Sequence, residues 1–296
     1  MVGRMPEVMS QIEEMRLLAL AKHRSGDLDA ALAIYDQALA AGPDDEQREL
    51  ITINKADVLI EMQRSGPEVQ ALPAILMRRR NPHHTFLASY QMMFKHRLAG
   101  EMDRSIFYGQ IAQKVAIESG KVFWKLAALN ELGLAYEANS QFEDAIRSFN
   151  DAIALLDSIE ATDQTVSRIA IIQNLSYCRL LVGDTETGIQ MVLTVLDQIQ
   201  GAWARAESLI DLCYGYVELQ QYDKAIEYGK AGLELASEPR QIRNAHYLLG
   251  EAAYKAGDIA AAEFHFDELA RFYPQFRNLK SLLFAIDLRS MVNLKL

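Results

Sequence analysis

Cysteine is scarce: only Cys178 and Cys213 occur in 296 residues. Two cysteines outside any CxxC pair make neither a disulfide framework nor a zinc-ligand spacing. A reducing, cytoplasmic setting is the expectation. Proline (7) and glycine (16) are also few for the length, which leaves long stretches free to be helical. No stretch approaches the roughly 18 apolar residues that a membrane span requires. The opening MVGRMPEVMSQIEEMR lacks the apolar run of a signal peptide, so none is expected. GxGxxG, GxxxxGK[ST], HExxH and GxSxG are all absent. Histidines stand at 23, 83, 84, 96, 246 and 265, and the adjacent His83 and His84 point apart on a helix. The carboxylates are spread along helix faces and near turns, as caps and first-turn charges are. No catalytic residue, metal ligand or cofactor site is expected, and the chain reads as non-enzymatic.

What is present is an ordinary soluble balance, half apolar and a quarter charged, with a net charge of -10. An acidic surface repels phosphate backbones, so nucleic acid is not expected as a partner. The same charge disfavours an anionic membrane surface, and membrane insertion is not expected.

The chain repeats itself. In Leu17–Asp45, Gly26 marks a turn, with Ala19 seven residues before it. Ala31, Tyr35, Ala38 and Pro43 follow five, nine, twelve and seventeen after. Around Ser140 the same offsets hold Gly133, Ala145, Phe149 and Ala152. Around Gly257 they hold Gly250, Ala262, Phe266, Leu269 and Pro274. Small residues let two antiparallel helices approach, a ring fills the gap to the next pair, and a turn glycine supplies a left-handed backbone. Asp27, Asp184 and Asp258 follow such glycines as candidate helix caps. Weaker copies centre on 220 (Tyr216, Tyr222, Ala225), 183, 100 and 66, where Gly66-Pro67 and Pro73 are expected to interrupt the second helix. Turns at 26, 66, 100, 140, 183, 220 and 257 are spaced by 40, 34, 40, 43, 37 and 37 residues. Relative to a minimal repeat of about 34 residues, the excesses are close to whole helical turns.

These residues resemble the tetratricopeptide repeat family. The resemblance implies an all-α, right-handed α-solenoid of helix-turn-helix repeats. The approximate repeats are 6–45, 46–82, 83–120, 121–162, 163–201, 202–239 and 240–275, in one domain spanning 1–296. Residues 276–296 read as an amphipathic capping helix, with Leu279, Leu282, Leu283, Ile286 and Met291 near one face. Pro6 fits the first turn of the first helix. RRRNPHHT, Arg78 to Thr85, is expected as a loop and hinge. It reads either as a small anion site or as a solvated helix end whose basic residues suit the helix dipole. The longer repeats are similar to those of kinesin light chains, spindle-orientation adaptors and bacterial quorum-sensing peptide receptors, which bind peptides or protein segments.

The resemblance also implies that the first helix of each pair lines a concave groove. Its side chains there fall about thirteen, ten, six and three residues before each turn. Those offsets give Leu20, Phe94, Leu134, Tyr177, Tyr214 and Glu251 at six. They give Arg16, Tyr90, Asn130, Gln173, Ile210 and Tyr247 at ten. At three they give His23, Arg97, Glu137, Leu180, Val217 and Tyr254, with Glu207 and Asn244 at thirteen. The expected ligand-binding wall is Tyr90, Phe94, Arg97, Asn130, Leu134, Gln173, Tyr177, Tyr214 and Tyr247. Tyrosine presents a broad apolar face and a hydroxyl at small entropy cost. Asparagine and glutamine match the donor and acceptor of a peptide backbone. The lysine–asparagine clamp for a C-terminal carboxylate that some family members carry is absent. The expected function is a protein- or peptide-binding adaptor or scaffold. The alternatives are a peptide-sensing receptor that acts through a partner, and a scaffold that assembles with its own copies.

Overall fold

The computed structural model describes residues 11–158, 165–274 and 277. Among them are fourteen α-helices and no strand. Seven residues adopt a left-handed backbone at equivalent turns: Gly26, Gln63, Gly100, Ser140, Gly183, Gln220 and Gly257. In each turn the next residue donates its backbone N–H to the carbonyl five positions back, as in Asp27 to Lys22, Arg64 to Leu59 and Asp258 to Ala253. This six-to-one bond ends the first helix of each pair and satisfies one of its last carbonyls.

The turn of the second repeat is Gln63, not Gly66, and this corrects the expected spacing. The intervals become 37, 37, 40, 43, 37 and 37 residues. Gly66 is instead the extended residue before the following helix (φ -170), and Pro67 opens that helix. Proline is at home there because a first-turn N–H has no partner to lose. Pro73 does not break the helix, which runs unbroken from Pro67 to Arg78. The connection in this repeat is simply longer.

The chain divides into two compact units, Met1–Gln141 and Phe142–Leu296. The division falls inside the expected repeat 121–162 and not at the basic segment. Unit 1 contains α1 (Gln11–Arg24), α2 (Leu28–Ala40), α3 (Asp45–Glu61), α4 (Pro67–Arg78), α5 (Pro82–Leu98), α6 (Met102–Glu118) and α7 (Val122–Ala138). Hairpins α1/α2, α3/α4 and α5/α6 pack in sequence, and the first helices α1, α3, α5 and α7 also touch their neighbours in that order. Ala19, Ala31, Tyr35, Ala38, Ile51 and Val58 fill the first interior, where Tyr35 is fully buried. Met93, Ile106, Leu132 and Ala135 close the last one. Asp44 caps α3 reciprocally with Gln47, each side chain accepting from the other's backbone N–H.

Unit 2 contains α8 (Phe142–Asp157), α9 (Thr165–Leu181), α10 (Thr185–Val195), α11 (Ala202–Glu218), α12 (Tyr222–Leu235), α13 (Pro239–Ala256) and α14 (Ile259–Phe272). One continuous core runs from Leu180 and Ile189 through Cys213 and Ala225 to Phe266 and Leu269. Gly250 is a close-approach glycine: a Cβ there would sit 2.5 Å from a ring carbon of Phe266. Both cysteines are free and buried, and burial pushes the Cys213 thiol far above its usual range.

Two local expectations need correction. Of the three candidate caps only Asp258 accepts a backbone N–H, from Ala261. The carboxylates of Asp27 and Asp184 are taken by Lys22 and Arg179, cations near the ends of the preceding helices. The basic segment is a loop only over 79–81, because Pro82 to Thr85 form the first turn of α5. The expected capping helix over 276–296 and the placement of Pro6 lie outside the described residues.

Candidate functional site

Counting back from the left-handed turns gives one position on every first helix. Seven before the turn are Ala19, Ala56, Met93, Gly133, Ser176, Cys213 and Gly250, all buried. One residue on are Leu20, Asp57, Phe94, Leu134, Tyr177 and Tyr214, all half-buried, and Glu251, which is buried. A helix turns about 100° per residue, so the six-before side chains flank the packed seam and keep one face open. Phe94, Leu134, Tyr177 and Tyr214 of the expected wall stand on this line.

In unit 1 the line reads Leu20, Asp57, Phe94 and Leu134. Asp57 enters it only when the turn is taken at Gln63. It is joined to both neighbouring first helices. His23 of α1 lies 3.9 Å from Asp57 and bonds Glu61 at 2.6 Å. The Gln91 side chain of α5 hydrogen-bonds Asp57. Burial raises the Asp57 carboxyl to about 6, against the opposing pull of His23 and Gln91 and with a push from Glu61. Further along, the Arg97 guanidinium lies 5.2 Å from the Phe94 ring centroid and donates to Glu131 of α7 at 3.1 Å. The Asn130 amide makes a long 3.5 Å contact to the other Glu131 oxygen. Tyr90 packs against Phe86, and burial first, then the charges of Glu131 and Asp57, raise its hydroxyl well above the ordinary range. Asn54, Gln91 and Glu131 share the position nine before their turns. Nδ2 of Asn54, Oε1 of Gln91 and Nε of Arg97 have no hydrogen-bond partner among the described residues. Unit 1 therefore offers Tyr90, Phe94, Arg97, Asn130 and Leu134 on a surface already laced by ion pairs and amides. Asp57, Gln91 and Glu131 are the members that sequence offsets missed.

In unit 2 the line reads Tyr177, Tyr214 and Glu251. Tyr177 and Tyr214 are half-buried on successive first helices, α9 and α11. Gln173 is held in place by Ser208 Oγ (2.8 Å) and the Ala204 carbonyl (3.3 Å). It lines a cavity of about 510 Å³ with Ile169, Ala170, Gln198, Ile199, Gln200 and Ala204. Tyr247 is only 6% exposed and belongs to the core. Glu251 bonds Lys255 at 2.5 Å. Of the four residues expected here, Gln173, Tyr177 and Tyr214 are half-buried and Tyr247 is buried. No group of three or more metal-ligating side chains occurs among the described residues, and no helix there is long and apolar enough to cross a membrane.

A family model for the tetratricopeptide repeat matches residues 15–46 and 211–275. With the repeated hairpins and their seven turns, the match makes the described residues an all-α array of repeats similar to those of the tetratricopeptide repeat family. No curated protein matches it in sequence. Among solved structures it is similar to the apo form of RapI, with a TM-score of 0.70 and 12% identity over 90% of this chain and 77% of that one. It is also similar to the apo form of the quorum sensor NprR from B. thuringiensis, with a TM-score of 0.73 and 16% identity over 92% and 80%. NprR in complex with its cognate peptide NprX gives 0.66 and 16% over 95% and 84%. At these identities the likeness is one of fold.

Proposed function

We propose that the chain binds a peptide or an extended segment of another protein on the half-buried positions of the first helices within a unit, and acts as an adaptor or scaffold without catalysis. The observation that carries this reading is the contrast between adjacent positions. Seven before each turn the residue is sealed in the core; six before, in six of the seven helices, it is a half-open side chain. Tyr177 and Tyr214 there are of a type enriched at binding hot spots, and Phe94 and Leu134 add apolar surface. In unit 2, Tyr177 and Tyr214 supply broad faces, and the fixed Gln173 amide supplies polar contacts. Unit 1 offers Phe94 and Leu134 flanked by Asp57, Arg97 and Glu131, charges of both signs.

A peptide-sensing receptor is the second reading. The fold similarity to NprR, a quorum sensor solved with its peptide NprX, favours it. It differs in requiring a short peptide and an output through a separate partner. Affinity capture from native lysate tests the proposal, with wild type beside a Tyr177→Ala/Tyr214→Ala variant whose melting curve is unchanged. A partner held by wild type and lost by the variant supports the groove. Equal capture by both moves the interface elsewhere on the chain.

A further inference from the structure

The basic segment that the groove leaves unused sits on an edge of unit 1, at two connections. One joins α4 to α5 over residues 79–81, the other joins α6 to α7 over 119–121. The rings of His83 and Trp124 stack at 5.3 Å and 8°, which holds the two connections together. Residues 77–85 and 121–130 contain five arginines and lysines and no aspartate or glutamate, in a chain of net charge -10. Arg78 is paired with Glu49 at 3.5 Å. Asn81 caps α5 and donates to Glu46, and Glu118 faces Lys114. Among the described residues Arg79, Arg80, Lys121 and Lys125 have no ion-pair partner, so their charge is available.

Exposed apolar residues flank these cations in the chain. Met77 is 85% and Phe123 61% exposed, and Val122 and Ile117 are exposed with them. Neither Met77 nor Phe123 stabilises the fold by burial. Exposed apolar side chains next to unpaired cations mark a contact surface.

The geometry separates the candidate partners. A single-stranded nucleic acid needs free ring faces on which to stack its bases. Trp124 is stacked against both His83 (5.3 Å, 8°) and Phe86 (4.8 Å, 8°), which leaves Phe123 as the exposed phenyl ring of this edge, one platform where a strand needs a succession of them. An extended acidic peptide needs a groove, and these residues stand on the tips and flanks of two connections. A lipid surface asks only for exposed apolar tips with cations beside them at headgroup level.

We propose that this edge of unit 1 docks on an anionic membrane surface, with Phe123 and Met77 entering the headgroup boundary and Arg79, Arg80, Lys121 and Lys125 pairing with lipid phosphate or carboxylate. The acidic remainder of the chain is repelled by the same surface, so docking is oriented through this edge alone. The contact is peripheral, and the groove takes no part in it.

Flotation of the full chain with vesicles tests this. Phosphatidylserine–phosphatidylcholine vesicles are compared with pure phosphatidylcholine at low salt. Wild type floats with the anionic vesicles, stays behind with the neutral ones, and is released by added salt. Arg80→Ala/Lys121→Ala lowers the vesicle affinity about thirtyfold, from roughly fivefold per cation. Phe123→Ser lowers it about tenfold by removing inserted apolar surface. All three side chains are exposed, so the melting temperature is unchanged in both variants. Failure of wild type to float with anionic vesicles at low salt overturns the proposal. Variants that float as wild type does also overturn it. Retention of polyglutamate or single-stranded DNA by a wild type that ignores vesicles overturns it too, and gives the edge to that polymer.

Discussion

Replacing Asp57 with asparagine stabilises the protein at neutral pH. Burial lifts the Asp57 carboxyl from 3.8 in the ordinary case to about 6 in the fold. The folded chain thus holds the proton more tightly than the unfolded chain does. For such a group the contribution to stability is present in full below the unfolded value and lost as pH rises through the folded one. The gap between the two values corresponds to at most about 3 kcal/mol. The side chain keeps 31% of its exposure, so solvent screening reduces this to about 1–2 kcal/mol. The substituted amide keeps a hydrogen bond with Gln91, and His23 keeps its shorter bond to Glu61. Urea denaturation followed by circular dichroism, at about pH 4 and about pH 7.5, measures the difference between the two proteins. The other carboxylates cancel in that difference. The variant gains its advantage of about 1–2 kcal/mol between those two pH values. A variant less stable than wild type at the higher pH refutes the reasoning, because the His23–Asp57 attraction then outweighs the cost of burial.

Other consequences are open to simpler tests. Gly250→Ala gains about 1 kcal/mol of helix propensity but drives a methyl into the Phe266 ring, so it destabilises by about 1–2 kcal/mol net. Phe266→Leu in the same chain recovers part of that loss, and a double-mutant cycle reads the coupling. Gln63→Gly relieves a left-handed backbone (φ 53) and raises stability by about 0.5–1 kcal/mol, while Gly26→Ala does the reverse in the equivalent turn; thermal melts check both. In unit 2, His265 sits 3.0 Å from His246 and is lowered to about 4, first by burial and then by the nearby charges of His246 and Lys230. His246 is lowered too, chiefly by burial, with Glu268 opposing and Arg271 assisting. The stability that both histidines contribute is present above the usual value of 6.5 and lost as pH falls through the folded values. The urea midpoint accordingly falls on acidification across that range, and falls less in His265→Gln.

The repeat architecture was legible because its determinants are local. Small residues at the helix crossing, such as Ala19 and Gly250, and left-handed turns at Gly26, Gly100 and Gly257 recur at readable offsets. The second repeat defeated the same logic. Its left-handed residue is a glutamine, and the nearby Gly66-Pro67 carries the stronger turn signal while serving to start α4. That slip of three residues hid Asp57, which the corrected spacing of 37 places in line with Leu20 and Phe94. The Asn54–Gln91–Glu131 series was missed for another reason as well: it stands nine before the turns, outside the offsets of thirteen, ten, six and three, and only Asn54 depends on the corrected turn. Offsets along one helix also cannot say what lies opposite. Tyr247 holds the position of Tyr90 and Gln173, yet it is closed into the unit 2 core. Gln173 was legible as a half-buried amide, but its bonds to Ser208 and Ala204 come from α11, far away in sequence.

On the proposed reading, a partner lies on the half-buried positions of the first helices. Photo-crosslinking tests it most directly, with benzoylphenylalanine placed at position 214 on α11 and, as a control, at the exposed position 227 on α12. Fractions from native lysate are irradiated and the crosslinked peptides sequenced. A single protein or peptide segment is attached at 214 and absent at 227. The same segment crosslinking at 227 and not at 214 would contradict it.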